Sequence, residues 1–507
     1  MPTEQDDSLS AILLGNSSTA TVRGKLGEMA SQLETEAFED ERQTDAPPGR
    51  RQKTHDVLQP VPKLGAFRAL RNRNFRIFWV GQLISLIGTW AQNLAQGWLI
   101  VLLVDPALHQ GAHVPLLVVS GGHSAAVEAT ANFYSGWVNF AGGLPIFLFT
   151  LLAGVVADRV DKRKLLLVTQ SGLILTALCL GILAVRGTVQ IWHVLFFAAL
   201  SGLFASFDMP TRQSFIAEMV GKEDLPSAVA LNSSVFNAAR ALGPAVAGLL
   251  LKVGVSIGVA FLGNAALSLA VIVGLLLIRV PPRPTGDAPK VDNSLRGVWE
   301  STREGFQYVR STPTVRNLVI LVGSFGLFAF SFNVLIPVFV RYTLLPHSSD
   351  KVQVAAFGFM ETVRGVGALG GALTVALLGN ARRQRNMLMT GSLLATVVLI
   401  VFGFSRTLWL AYATMAVVSY GFVLCFATSN TLMQLHVPDR LRGRVMSIYT
   451  LMFIGTIPFG SLFAGWLAGM TNAPFTIVAC AVISLLTTLV VAFRPGGLRD
   501  MDVTPTK

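Results

Sequence analysis

Charge is scarce in this chain. Only 13% of its 507 residues are Asp, Glu, Lys or Arg, against about 25% in an ordinary soluble domain. That shortage excludes a water-facing surface over most of the molecule. Cysteine is scarcer still: Cys179, Cys425 and Cys480 all fall within apolar runs and share no metal-like spacing. Neither a disulfide framework nor a cysteine metal centre is expected. There is no nucleophile elbow, no His-Glu-x-x-His, no phosphate-cradling glycine loop and no pair of carboxylates in one segment, so the chain is not expected to be an enzyme. The formal charge of +12 is not laid out as a basic face. It stands in short clusters between apolar runs, which flank membranes, so a nucleic-acid partner is not expected.

What the chain has is apolar length. Hydrophobic residues make up 52%, and mean hydropathy is +0.58. Residues 1–63 are the exception: ten acidic residues up to Asp45 and few aromatics predict a disordered tail. From Phe75 onward come twelve stretches long enough to cross about 30 Å of hydrocarbon. They lie near 75–104, 131–156, 164–185, 189–209, 229–252 and 256–279, then 317–341, 353–378, 386–404, 407–429, 445–469 and 474–493. With the N-terminus in the cytoplasm, about thirty Lys and Arg fall in inner connectors and about five in outer ones. Arg68–Arg76, Arg159–Lys164, Arg279–Arg316, Arg382–Arg385 and Arg440–Arg444 are the inner clusters. A multi-pass protein of the cell (inner or plasma) membrane is expected, with both termini cytoplasmic.

The fold expected is all-α: twelve transmembrane helices in two repeated six-helix bundles. The bundles span 64–280, with an outer loop at 105–130, and 317–494; 281–316 is a cytoplasmic linker and 495–507 a tail. The outer loop has no Lys or Arg and holds His109, His113 and His123, whose spacing does not support a metal site. The linker opens on Pro281, Pro282 and Pro284. Leu295, Val298, Trp299, Phe306 and Val309 then predict an amphipathic helix along the inner membrane face. The halves echo each other: Asp224–Val229 against Arg440–Val445, and Gly243-Pro244 with Ala247-Gly248 against Pro458 with Ala464-Gly465. Parallel repeats of this kind place a substrate path between halves.

Between the second and third stretches stands Gly154-Val155-Val156-Ala157-Asp158-Arg159-Val160-Asp161-Lys162-Arg163-Lys164. It resembles the loop signature of the major facilitator superfamily, with Asp161 where that signature has Gly and Lys162 for an Arg. The resemblance implies a gate: Asp158 near Arg444 at the start of helix eleven, and Lys162 or Arg163 reaching Asp208. In helix five, Arg240, Gly243, Pro244 and Gly248 resemble the motif of the superfamily's exporters and antiporters. Small residues there allow close helix approach, and the proline removes a backbone hydrogen bond. Phe67–Arg76, Gly88-Thr89-Trp90, Pro210–Phe215 and Val437–Val445 resemble the enterobactin-exporter-like, transmembrane secretion effector branch. That resemblance implies export of small amphiphiles such as siderophores or drug-like compounds.

Polar groups inside apolar runs mark the candidate path, because a charge at the bilayer centre costs roughly 2.5–3.5 kcal/mol on insertion scales. Arg240 in helix five, Glu361 and Arg364 three apart in helix eight, and Gln92, Asn93 and Gln96 in helix one are those groups. Glu361 and Arg364 are equally a helix-orienting pair. His193 is either an interface residue or a proton carrier. Ala198 stands near the place where drug/proton antiporters of the superfamily carry an Arg in helix four, which weakens proton antiport. No cofactor is expected, and a proton gradient is the candidate energy source. The partners expected are a small-molecule substrate and the bilayer, with the chain a monomer. An importer, a lipid flippase and a non-transporting scaffold or receptor stand as alternatives to export.

Overall fold

The computed structural model describes residues 67–105, 122–278, 295–378 and 381–494. The expected tails, the first part of the linker and residues 106–121 of the outer loop, with His109 and His113, lie outside these. The described chain is helical. The N-terminal half holds α1 (Arg73–Val104), α2 (Gly122–Arg159), α3 (Lys162–Val185), α4 (Ile191–Gly221), α5 (Glu223–Lys252) and α6 (Ile257–Leu277). The linker helix α7 (Leu295–Ser311) follows. The C-terminal half holds α8 (Pro313–Leu344), α9 (Asp350–Leu378), α10 (Ala381–Gly403), α11 (Leu408–His436), α12 (Asp439–Ile454), α13 (Ile457–Met470) and α14 (Ala473–Phe493). Helices α12 and α13 together form one span. Eleven helices among the described residues are long and apolar enough to cross a membrane. The expected twelfth, α2, is present as a 38-residue helix outside that set.

Local chemistry sets the helix ends. The Asn72 side chain accepts hydrogen bonds from the Asn74 and Phe75 N–H groups and starts α1. Asn472 does the same for Phe475 in α14. Asp161 accepts from the Lys164 N–H at 3.1 Å and caps α3, which explains a carboxylate where the superfamily loop has Gly. The turn between α4 and α5 is made by Gly221 at φ +71°, a conformation that L side chains rarely adopt. Arg68 braces this turn through Glu223 at 2.8 Å and Asp224 at 2.7 Å.

Several boundaries differ from expectation, three of them as follows. Helix α2 begins at Gly122 rather than 131, because Val127 and Ala131 bury against Val101, Val104 and Val338. Helix α4 runs on to Gly221 because Phe215, Ile216 and Met219 pack under Phe75 and Phe78. Helix α12 begins at Asp439 rather than 445. In each case a polar surface lowers the hydropathy while an apolar stripe still packs.

Two ends of the bundle can be told apart. At the basic end α1 begins and α2 turns into α3; at the far end α1 stops and α9 begins. Helix α7 docks on α12 by one face: Gly305 lies against Arg444 and Ile448, Val309 is buried, and the Tyr308 hydroxyl donates to the His436 carbonyl. Phe306 remains exposed.

The halves meet along two seams. In one, α5 packs on α9, where Gly248 faces Gly358 and Ala241 faces Gly365 so closely that a Cβ on either glycine would strike backbone. In the other, α2 packs on α13 at Gly136 and Gly465. Large apolar side chains such as Val168, Leu249, Val366 and Leu377 face outward. Such an exposed apolar surface requires lipid rather than water around it. All three cysteines are free, and Cys425 and Cys480 are buried.

Candidate functional site

A cavity of about 660 Å3 lies between the halves. Helix α1 lends Trp90, Asn93 and Gln96; α2 lends Ser135 and Asn139; α5 lends Arg240 and Pro244. From the C-terminal half come Asn333 on α8, Glu361 and Arg364 on α9, and Ser419 and Phe422 on α11. The sequence-derived path therefore converges on one site, apart from Gln92. That side chain turns away, and its Oε1 accepts from Asn264 Nδ2 at 2.6 Å, so it joins α1 to α6 instead of lining the path. One residue along a helix is a rotation of about 100°, enough to move Gln92 to another face from Asn93.

The ionic pattern in the cavity is asymmetric. Arg364 Nη1 donates to Glu361 Oε1 and its Nη2 to Asn333 Oδ1, with the guanidinium 5.5 Å from the Phe332 ring centroid. Arg364 is thus held on three sides. Arg240, across the seam, lies in the electrostatic field of both Glu361 and Arg364. Among the described residues it makes no hydrogen bond or ion pair. The helix-five motif carries it there: Gly243 lets α5 approach the Ile87 carbonyl and Trp90 of α1, while Gly248 lets it approach α9.

The expected pairing of Lys162 or Arg163 with Asp208 is not present among the described residues. Lys162 Nζ bonds Glu218 Oε1 at 2.5 Å, within the N-terminal half, not Asp208. Arg163 donates to the Leu275 and Leu276 carbonyls, unsatisfied acceptors at the end of α6, at 2.6 and 2.9 Å. Asp208 is enclosed by Arg212, Thr169 at 3.0 Å and Gln170 at 2.7 Å. Arg444 and Arg440 both pair with Glu304 of α7. These contacts engage Lys162, Arg163 and Asp208 within the N-terminal half, and Arg440 and Arg444 tie α7 to the C-terminal half. Gly154 has open space where a side chain would project. The side chains of Asp158 and Arg159 lie outside the described residues, so the Asp158 latch does too.

The far end holds a cluster that sequence reasoning missed. Arg341 Nη2 bonds Asp105 Oδ2 at 2.7 Å, joining α8 to the end of α1 across the two halves. Its Nη1 bonds Asp350 at 2.5 Å and Gln353 at 2.8 Å on α9. Helix α8 is irregular here, a 3-10 stretch over Ala329–Leu335 and a π turn over Phe339–Leu344, with Pro337 between. Breaks of this kind cluster at functional sites. Here they aim Asn333 into the cavity and Arg341 at Asp105. Pro337 and Asn333 within an apolar run were the available signal. His193 caps its own helix, its Nδ1 accepting from the Gln190 N–H at 3.0 Å, and does not line the cavity.

Comparison with known proteins agrees with this architecture. The chain is 26% identical to the multidrug efflux pump Tap of Mycolicibacterium fortuitum, over 80% of this chain and 97% of that one. It is 26% identical to the staphyloferrin A transporter of Staphylococcus aureus, over 82% and 95%. It is 24% identical to the enterobactin exporter EntS of Escherichia coli O1:K1, over 69% and 81%. Among solved structures, the D-xylose–proton symporter superposes with a TM-score of 0.59 at 15% identity, over 82% of this chain and 96% of that one. A bacterial homologue of the human lysosomal transporter Spinster gives 0.56, also at 15% identity, over 81% and 96%. Residues 124–505 match the family described as transmembrane secretion effector. The chain is a multi-pass membrane transporter, not an enzyme, and it belongs to the transmembrane secretion effector family of the major facilitator superfamily.

Proposed function

We propose that the protein is a secondary active exporter, moving small amphiphilic molecules out of the cell by alternating access of its two halves. The observation that carries this reading is the central cavity itself. It lies between repeated halves, mixes charged groups with aromatic rings, and is closed at the far end by glycine-to-glycine helix contacts and the Asp105–Arg341 pair. A cavity between the halves that is closed at one end is one stage of such a cycle. The charge distribution supports placing the basic end in the cytoplasm, with both termini inside. On that orientation the cavity accepts substrate from the cytoplasm. The relatives' names, an efflux pump and two siderophore transporters, support outward movement and a siderophore or drug-like cargo.

Both halves that line the cavity belong to one chain, which favours a working monomer. A proton gradient is the proposed energy source. The test uses inside-out vesicles of cells making the protein, energised by respiration and offered a panel of siderophores and amphiphilic drugs. Accumulation inside the vesicles, collapsed by a protonophore and lost in Arg240→Ala, is the expected result. Gradient-driven accumulation in right-side-out vesicles instead would establish uptake and overturn the direction.

A further inference from the structure

Three ionisable groups line the cavity, and they do not cancel. Glu361 is engaged by Arg364, which is also bonded to Asn333. Arg240 stands opposite, in the field of both, with no hydrogen bond or ion pair of its own among the described residues. The lining therefore carries one positive charge in excess. A guanidinium presents five N–H donors in a planar fork that fits a carboxylate or similar oxyanion through two parallel bonds. A cation entering the same space would meet two arginines and a glutamate already occupied. Trp90 and Phe236 line the N-terminal wall with Arg240, and the C-terminal wall carries Phe330, Phe357, Phe426 and Phe453. Rings on two walls favour a ring-bearing body held by offset or edge contacts.

We infer that the cavity takes aromatic anions, small molecules bearing an acidic group on a ring-containing body, and that Arg240 is the residue that recognises the negative charge. This deepens the transport reading and rests on that reading's assignment of the cavity as the substrate site. Of the remaining polar side chains, Asn93, Gln96, Ser135 and Asn139 lie on the N-terminal wall with Arg240, and Ser419 lies on the C-terminal wall. Those on the N-terminal wall supply neutral donors and acceptors for the rest of the molecule, so the N-terminal half binds the polar end. The C-terminal half, with its acidic group already paired, mainly provides aromatic surface.

The experiment uses the full chain in phosphatidylcholine nanodiscs and three fluorescent probes with one aromatic body: dansylglycine (anionic), dansylglycinamide (neutral) and dansylcadaverine (cationic). Dansylglycine is expected to bind at least tenfold more tightly than the amide, equivalent to about 1.4 kcal/mol, and the cationic probe most weakly. Arg240→Gln should erase the difference between acid and amide, while Arg240→Lys should keep part of it. A purely structural role for Arg240 would lower all three affinities together, and that result would overturn the inference. So would equal binding of the three probes, binding of none, or preference for the cation. Nanodiscs containing phosphatidylglycerol separate two sources of anion. Competition of that lipid with dansylglycine would support the anion site with a lipid headgroup as occupant, and no competition would support a free small molecule. Transport of the probes in proteoliposomes is read separately. Movement of the cation alone would sink the anion inference and leave the transporter, whereas anion binding without movement of any probe would do the reverse.

Discussion

The far-end ion pair offers the sharpest test of the mechanism. Asp105 and Arg341 belong to different halves, and their side chains are 15% and 11% exposed. Any state open at the far end must separate them. Asp105→Asn removes the charge while leaving the shape. Arg341 is not stranded by the change, because Asp350 and Gln353 still hold its other amino group. The penalty is therefore not the 3–5 kcal/mol, roughly, of an orphaned buried charge. It is at most the loss of one hydrogen bond between charged groups, about 1.5–3 kcal/mol. About 2 kcal/mol changes the ratio of far-end-closed to far-end-open molecules roughly thirtyfold.

Spin labels on cysteines at Val253 and Val352, exposed at the far ends of α5 and α9, report that end by pulsed dipolar spectroscopy. Labels at Val160 and Ser447 report the basic end. The variant should lengthen the first distance and shorten the second. Asp350→Asn is the control, since Asp350 and Arg341 lie in the same half and their bond survives in both states. An unchanged distribution in Asp105→Asn, or an equal shift in Asp350→Asn, would refute the clamp.

Two further outcomes are expected. Cysteine at Val253 should react with an impermeant maleimide on intact cells and cysteine at Val160 should not; the opposite pattern would reverse the orientation. Asp208→Asn should leave Arg212, half-buried at the basic end of α4 beside the buried Asp208, without its carboxylate. It should cost about 3 kcal/mol, read as a clear fall in melting temperature in detergent, and an unaltered melt would show that the Thr169–Gln170 network does not depend on the charge.

The apolar runs and the costly charges within them are legible in the amino-acid sequence. A run long enough to span a bilayer dictates a helix, because no other local structure satisfies the backbone in lipid. Arg240, Glu361 and Arg364 stand out because burying them demands a partner or a cavity, and they do meet at one. Asp161 looks like a departure from a signature, yet it is a helix cap, a role set by its three-residue spacing from Lys164.

Which groups pair was decided by tertiary structure alone. Lys162 takes Glu218 rather than Asp208 because α3 and α4 pack in a register that gives Asp208 to Arg212, Thr169 and Gln170. Gln92 goes to Asn264 because α1 faces α6 on that side. The Asp105–Arg341 bond links residues 236 positions apart, and only the break in α8 aims one at the other. Periodicity and hydropathy act within one helix. The meeting of two faces is settled by how all the helices pack at once, and that information is spread across the whole chain.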